Sequence, residues 1–216
     1  MTAGLRTLLP LGGALLVLAG GAGLVCPGGS CGVPAFDAIA LAQANDWRSP
    51  AADALARSIT WLGSLFVLVP VVLWLAWRDA SERGWRVACF VPVALVSAAA
   101  LAQLWKIVVQ RPRPDLFSPL IEMPADGSFP SAHAMQVTAM ALAWLLRPET
   151  RAPPLASLVA AVLVIGVALS RVYLQVHFPS DVLVGIAASA LLVLALSAMP
   201  WGSAASVTLP SSSRDR

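Results

Sequence analysis

The stretch LASLVAAVLVIGVALSRVYLQVHFPSDVLVGIAASALLVLALSAMPW, residues 155–201, holds two apolar runs with a polar seam between them. From Leu155 the chain carries no charge until Arg171. His177 and Asp181 follow within eleven residues, and a second uncharged run begins at Val182. Each run approaches the ~20 apolar residues that a helix needs to cross a hydrocarbon core of about 30 Å. Two hydrophobic helices thus meet at a boundary that bears three ionisable groups.

The rest of the chain repeats the apolar character without repeating the sequence. Of 216 residues, 58% are hydrophobic and 12% charged, against about 25% charged in a soluble domain. The mean hydropathy is +0.79. Six segments read as membrane helices: Leu8–Val25, Ile59–Trp77, Trp85–Val109, Ser131–Leu146, Leu155–Val176 and Val182–Trp201. None shows the period-two alternation of a membrane barrel. The expected fold is therefore all-α, a polytopic bundle of six transmembrane helices in one domain, 1–201, with a disordered serine-rich tail, 202–216. No basic patch with interleaved aromatics accompanies the net charge of +3, so nucleic acid is not an expected partner.

Arginine and lysine placement orients such a bundle. With both termini cytoplasmic, Arg6, Arg78, Arg83, Arg86, Arg147, Arg151, Arg214 and Arg216 lie inside. Arg48, Arg57, Lys106, Arg111, Arg113 and Arg171 lie outside, and the last four sit in stretches with a chemical role. The bias favours N-in and C-in, with an uncleaved first helix after Arg6. Cys26 and Cys31 then fall just outside, where a disulfide is permitted; they can pair across Pro-Gly-Gly-Ser or remain free thiols. Cys89 reads as packing. Residues 33–57 read either as a helix lying on the membrane surface, with Phe36, Ile39, Ala40 and Leu55 toward lipid, or as a solvated connector. Residues 78–84 and 147–154 read as short cytoplasmic turns. The loop 110–130, QRPRPDLFSPLIEMPADGSFP, is too rich in proline for a helix or a central strand.

Outside the membrane the chemistry converges. Lys106 is the only lysine, and His133 and His177 are the only histidines. With Arg111, Arg113, Arg171 and Asp181 they reach one membrane face. Singly, each has a structural reading: Lys106 and Arg171 can snorkel, His133 can pack near a helix start, and Asp181 can sit on the positive end of the sixth helix. Together they describe a site for an anion. Three cations suit phosphate oxygens. One histidine can serve as nucleophile or base and the other as acid, and an aspartate four residues after a histidine can hold its ring.

These residues also carry a resemblance. KIVVQRPRP fits Lys-x6-Arg-Pro from Lys106 to Arg113, FPSAH ends in Pro-Ser-Gly-His with Ala132 in place of glycine, and SRVYLQVHFPSD fits Ser-Arg-x5-His-x3-Asp from Ser170 to Asp181. Three motifs in this order, across the core 106–181, resemble the type 2 phosphatidic acid phosphatase superfamily, which includes the vanadium haloperoxidases. The resemblance implies His177 as the nucleophile that becomes a phosphohistidine, Asp181 as its orienting partner and His133 as the acid for the leaving oxygen. Lys106, Arg113 and Arg171 would bind the phosphoryl oxygens, with Ser131 and the backbone at Ala132 adding hydrogen bonds. Arg111 would stand behind the site or touch a lipid headgroup, and Ser170 belongs to the third motif without a defined role. No metal and no other cofactor is implied, and three cations around the histidines would repel a divalent ion. If the family glycine requires a positive φ, Ala132 costs about 1 kcal/mol.

The expected function is hydrolysis of a lipid phosphate or diphosphate on the extracytoplasmic face of a bacterial inner membrane. Candidate substrates are undecaprenyl diphosphate, phosphatidylglycerol phosphate, phosphatidate and lipid A phosphates, with a prenyl diphosphate first. The expected partners are that substrate and the surrounding membrane lipids; oligomeric state stays open. A phosphotransferase using a lipid hydroxyl would share the site. A non-enzymatic anion transporter would need the cations but not the paired histidines. A haloperoxidase would need vanadate, and six hydrophobic helices argue against its usual soluble body.

Overall fold

Helix α1, Ala3–Val25, runs along the bundle against the last helix, α9, Pro179–Ser197. Both belong to a computed structural model that describes residues 3–148 and 152–201. Between them lie α2, Ala35–Asp46; α3, Pro50–Thr60; α4, Leu65–Arg83; α5, Trp85–Ala88; α6, Phe90–Val109; α7, Ala132–Leu145; and α8, Pro154–Tyr173. No strand occurs among the described residues. The tail 202–216, with Arg214 and Arg216, lies outside them, as does Arg151.

Four helical stretches are long and apolar enough to cross a membrane: Gly4–Val25, Trp85–Val109, Pro154–Tyr173 and Pro179–Ser197. A fifth crossing is available if Pro50–Gly63 and Leu65–Arg83, bent by 45° at their junction, count as one. Their outer faces carry large apolar side chains in the open; Leu16 is 74% exposed and Val162 62%. An apolar belt of this extent suits lipid rather than water, and the chain is a multi-pass membrane protein.

The fourth expected crossing, Ser131–Leu146, is the short helix α7. Its 14 residues span about 21 Å at 1.5 Å per residue, less than a bilayer core. No residue from Ala132 to Leu145 is exposed. Helices α4, α6, α8 and α9 surround it, and Met135, Ala139 and Ala143 join Phe90, Ala94, Ala98 and Val193 in the main core. Helix α7 is largely enclosed by these four helices, with Met140, Leu142, Trp144 and Leu145 half-buried, which loosens the match of its length to the lipid.

The second expected crossing, Ile59–Trp77, is displaced. Ile59 ends α3, and residues Trp61–Gly63 form a single 3-10 turn. Helix α4 starts afresh because the Ser64 hydroxyl accepts the N–H of Phe66 and caps it. It also runs through the expected turn 78–84 as far as Arg83, where Gly84 at φ 90° stops it. Asp79 explains the extension: its buried carboxylate accepts from Arg83 one turn on and from Arg147 beyond α7. The connector 33–57 is two helices, α2 and α3, packed on α8. Phe36, Ile39 and Leu55 point outward from them.

Cys26 and Cys31 are joined in a disulfide just beyond α1. The loop 110–130 contains no helix or strand and packs Leu120, Ile121 and Met123 against Leu174 and Val176 at the end of α8.

Candidate active site

The site forms where α6, α7, α8 and α9 present their ends on one side of the bundle. Helix α6 brings Lys106 in its last turn and stops at Gln110, whose left-handed backbone (φ 48°) closes a hydrogen bond from its N–H to the Lys106 carbonyl. The proline-rich loop that follows carries Arg111 inward to one side and Arg113 to the other. Helix α7 starts with Ala132 and His133. Helix α8 contributes Arg171 before the chain turns through His177 into α9. That turn is set by Pro179 at the helix start and by Asp181, whose Oδ2 accepts the Phe178 N–H at 3.0 Å.

Lys106, Arg113, His133, Arg171 and His177 all line one cavity of about 240 Å³, with Ala132 at its edge. His177 is 1% exposed. Its Nε2 stands 3.3 Å from Arg113 Nη1, which also donates to the Val176 carbonyl at 2.8 Å. Its Nδ1 faces Asp181 Oδ2 at 3.5 Å, beyond a formed hydrogen bond, and has no hydrogen-bond partner of its own. Asp181 is held from behind: its Oδ1 accepts from Arg111 Nη1 at 2.6 Å. Burial, and then the charges of Arg171, Arg113 and Lys106 and the His133 ring, push the His177 imidazole well below its ordinary range. The ring is therefore neutral at neutral pH, with an available lone pair.

Arg171 donates from Nη1 to the Thr60 hydroxyl at 2.7 Å, while its Nε is buried without a hydrogen-bond partner. Lys106 Nζ donates to the Gly127 carbonyl at 2.7 Å and pairs with Asp126 Oδ2 at 2.9 Å. Arg113 pairs with the other oxygen, Asp126 Oδ1, at 2.6 Å. Burial raises the Asp126 carboxyl, but hydrogen bonds from Lys106 and Arg113 outweigh it and hold the group below the usual carboxylate range. The Asp126 carboxylate thus bridges two of the cations that line the cavity, as two oxygens of a phosphate would. A Cβ at Gly127 would lie 3.2 Å from the Lys106 carbonyl oxygen, so the loop packs closely on the end of α6 here.

The remaining expected residues are placed differently. Arg111 does not line the cavity with His177; it is buried behind Asp181. Ser131 donates its backbone N–H to the Asp181 carbonyl at 3.1 Å, and its hydroxyl is buried without a hydrogen-bond partner. Ser170 turns its hydroxyl to the Val167 carbonyl within α8. Ala132 is not strained: it is helical, and among the described non-glycine residues only Gln110 and Gln175 have positive φ. Among the described residues no three His, Cys, Asp or Glu side chains gather as a metal site.

Asp126, Thr60 and Asp37 were missed in the sequence. Asp126 lay in a loop without a motif, Thr60 in an expected membrane segment, and Asp37 in a connector of mixed polarity. Nothing local marks any of them, because each acts through a partner distant in the chain.

The PAP2 superfamily model matches residues 87–204. The decaprenylphosphoryl-5-phosphoribose phosphatase of Mycobacterium tuberculosis is 42% identical over 111 residues, covering 50% of this chain and 57% of that protein. The chain thus matches little more than half the length of that relative. Phosphatidylglycerophosphatase B of Bacillus subtilis is 28% identical over 151 residues, 67% of this chain and 73% of that one. The crystal structure of a transmembrane PAP2-type phosphatidylglycerolphosphate phosphatase from Bacillus subtilis superposes with a TM-score of 0.71 at 24% identity, over 89% of this chain and 94% of that one.

Proposed function

The chain belongs to the PAP2 superfamily, and from that membership and the site geometry we propose that it is a membrane lipid phosphatase working without a metal. The observation that carries this reading is the single cavity that gathers His177 Nε2, His133 and three cations. Lys106, Arg113 and Arg171 neutralise the phosphoryl oxygens. The Nε2 lone pair of His177 forms a bond to phosphorus as the ester P–O bond breaks, and His133 gives a proton to the leaving oxygen. Water then attacks the phosphohistidine and gives a proton to His133, which the first step left as a base; the P–N bond breaks, inorganic phosphate leaves, and both histidines are restored. Asp181, facing Nδ1, holds the ring so that Nε2 points into the cavity. Asp126 has to yield its place on Lys106 and Arg113 as the phosphate enters.

The substrate is a lipid phosphate or diphosphate. The relatives named above act on a decaprenyl-linked phosphoribose phosphate and on phosphatidylglycerol phosphate, and this supports a polyprenyl or glycerolipid tail. A second cavity, lined by Trp61, Phe66, Ile121 and Pro124, adjoins His133 and Arg171 and gives the apolar part of the leaving group a place on the acid side. Both termini are cytoplasmic in this reading, and the site faces the extracytoplasmic side of a bacterial inner membrane.

The test is phosphate release in detergent from undecaprenyl diphosphate, phosphatidylglycerol phosphate, phosphatidate and lipid A, with EDTA present. Wild-type protein should release phosphate from at least one, and His177→Ala should lose turnover while keeping its melting profile. Turnover by folded His177→Ala, or a loss in EDTA restored by one metal, refutes the mechanism. No release from any of the four by folded protein refutes hydrolysis of these substrates.

A further inference from the structure

Behind His177, on the side away from the cavity, lies a buried ionic assembly of which only Asp181 belongs to a motif. Its outermost member is Asp37 on α2, 0% exposed. Asp37 Oδ1 accepts the backbone N–H of Ser180 at 2.9 Å, and Oδ2 accepts the Ser180 hydroxyl at 2.6 Å and Arg111 Nη2 at 3.0 Å. Arg111 spans the gap to the site. Its Nη1 donates to Asp181 Oδ1 at 2.6 Å and to the Ser180 hydroxyl at 2.8 Å, and its Nη2 reaches the Gly32 carbonyl at 3.1 Å. The guanidinium lies 3.9 Å over the Phe178 ring. A line of paired charges therefore runs Asp37, Arg111, Asp181, and its last carboxylate faces His177 Nδ1 at 3.5 Å.

The arrangement does more than bury an arginine. One carboxylate would balance the guanidinium, and Asp181 alone would then be drawn wholly to it. With Asp37 sharing Arg111, Asp181 gives only Oδ1 to the guanidinium, and Oδ2 stays turned to the Phe178 N–H and His177 Nδ1. Asp37 also holds both polar groups of Ser180, the residue between the turn at His177 and the aspartate, and so sets the first turn of α9. Buried networks of this kind fix geometry only while every member is satisfied.

We propose that Asp37 is a positioning residue for the nucleophile, acting through Arg111 and Ser180 on Asp181 and thereby on His177. The proposal rests on His177 being the nucleophile. Asp37 touches neither the phosphate cavity nor the cations that line it, so its role separates chemistry from binding.

The experiment compares wild type, His177→Ala, Asp37→Asn and Ser180→Ala on whichever of the four lipids wild type hydrolyses fastest. It reads kcat, KM, the inhibition constant of inorganic phosphate and the melting temperature. Asp37→Asn should lower kcat about 10- to 100-fold, as losing hydrogen bonds to charged groups predicts, with KM and the phosphate constant within about twofold of wild type. Ser180→Ala, the gentler change, should lower kcat in the same direction and decides the matter if Asp37→Asn does not fold. Wild-type kcat in the folded variants, or a kcat loss matched by an equal loss of phosphate affinity, overturns the positioning role. Turnover by His177→Ala overturns the nucleophile assignment itself, and is read separately.

Discussion

His177 is neutral because the protein surrounds it with protein and positive charge rather than water. Lys106, Arg113, Arg171 and His133 face it from four elements, and Asp181 is the carboxylate turned to its ring. A group held below its ordinary value of about 6.5 keeps its lone pair as the pH falls through that value. The acid limb of kcat/KM, which reports the free enzyme, should therefore lie below pH 6.5 once the substrate's own phosphate ionisation is measured separately. A limb at or above 6.5 would contradict the buried, cation-flanked imidazole. The stability sign follows: below about 6.5 the unfolded chain takes up a proton that the folded one refuses, so this residue's contribution is lost as pH falls. At this scale the motif spacings in the sequence picked out all five of the cavity-lining groups named above. They also separated Arg113, which lines the cavity, from Arg111, which does not. Asp126 and Asp37 left no such trace, since their partners are 20 and 74 residues away and only folding brings them together.

The apolar runs that became α1, α6, α8 and α9 were legible because about 20 uncharged residues in sequence have few other uses. The break ahead of α4 was not, because hydropathy continues smoothly across it. What bends the chain is local capping by Ser64 and a contact made far away: a Cβ on Gly63 would come 2.6 Å from Val167 Cγ1 and 3.2 Å from His133 Cβ. The glycine lets the turn between α3 and α4 lie directly against the start of α7. Gly63→Val should therefore push the His133 end of α7 aside. We expect a kcat loss of more than about tenfold together with about 1–3 kcal/mol of destabilisation from overpacking. Turnover assays and thermal melts of Gly63→Ala and Gly63→Val measure this; wild-type kcat in the valine variant would show that the turn yields instead. The surface helices at 33–57 were half legible: Phe36, Ile39 and Leu55 marked an outward apolar face, but the inward face is organised by one aspartate.

The molecule as a whole is polar along its axis. One end holds the site, and the other holds buried Asp79 with Arg83 and Arg147, which ties the far ends of α4 and α7 together. Composition alone announced the helical membrane class; of the six expected segments, four are straight helical stretches long enough to span, one belongs to a bent pair, and one is the short helix α7. Arginine counting implies that the Asp79 end is cytoplasmic. In a Cys89→Ser background, a cysteine replacing Glu82 should be labelled only from the cytoplasmic side, and one replacing Glu122 only from outside; the reverse would invert the topology. The enclosure of α7 also separates two demands that a bilayer usually makes together. A membrane that thins or thickens changes the tilt of the helices it touches, and α7, largely wrapped by its neighbours, is held by them. The outer helices can follow the membrane from one lipid composition to another while the floor under His133 keeps its height.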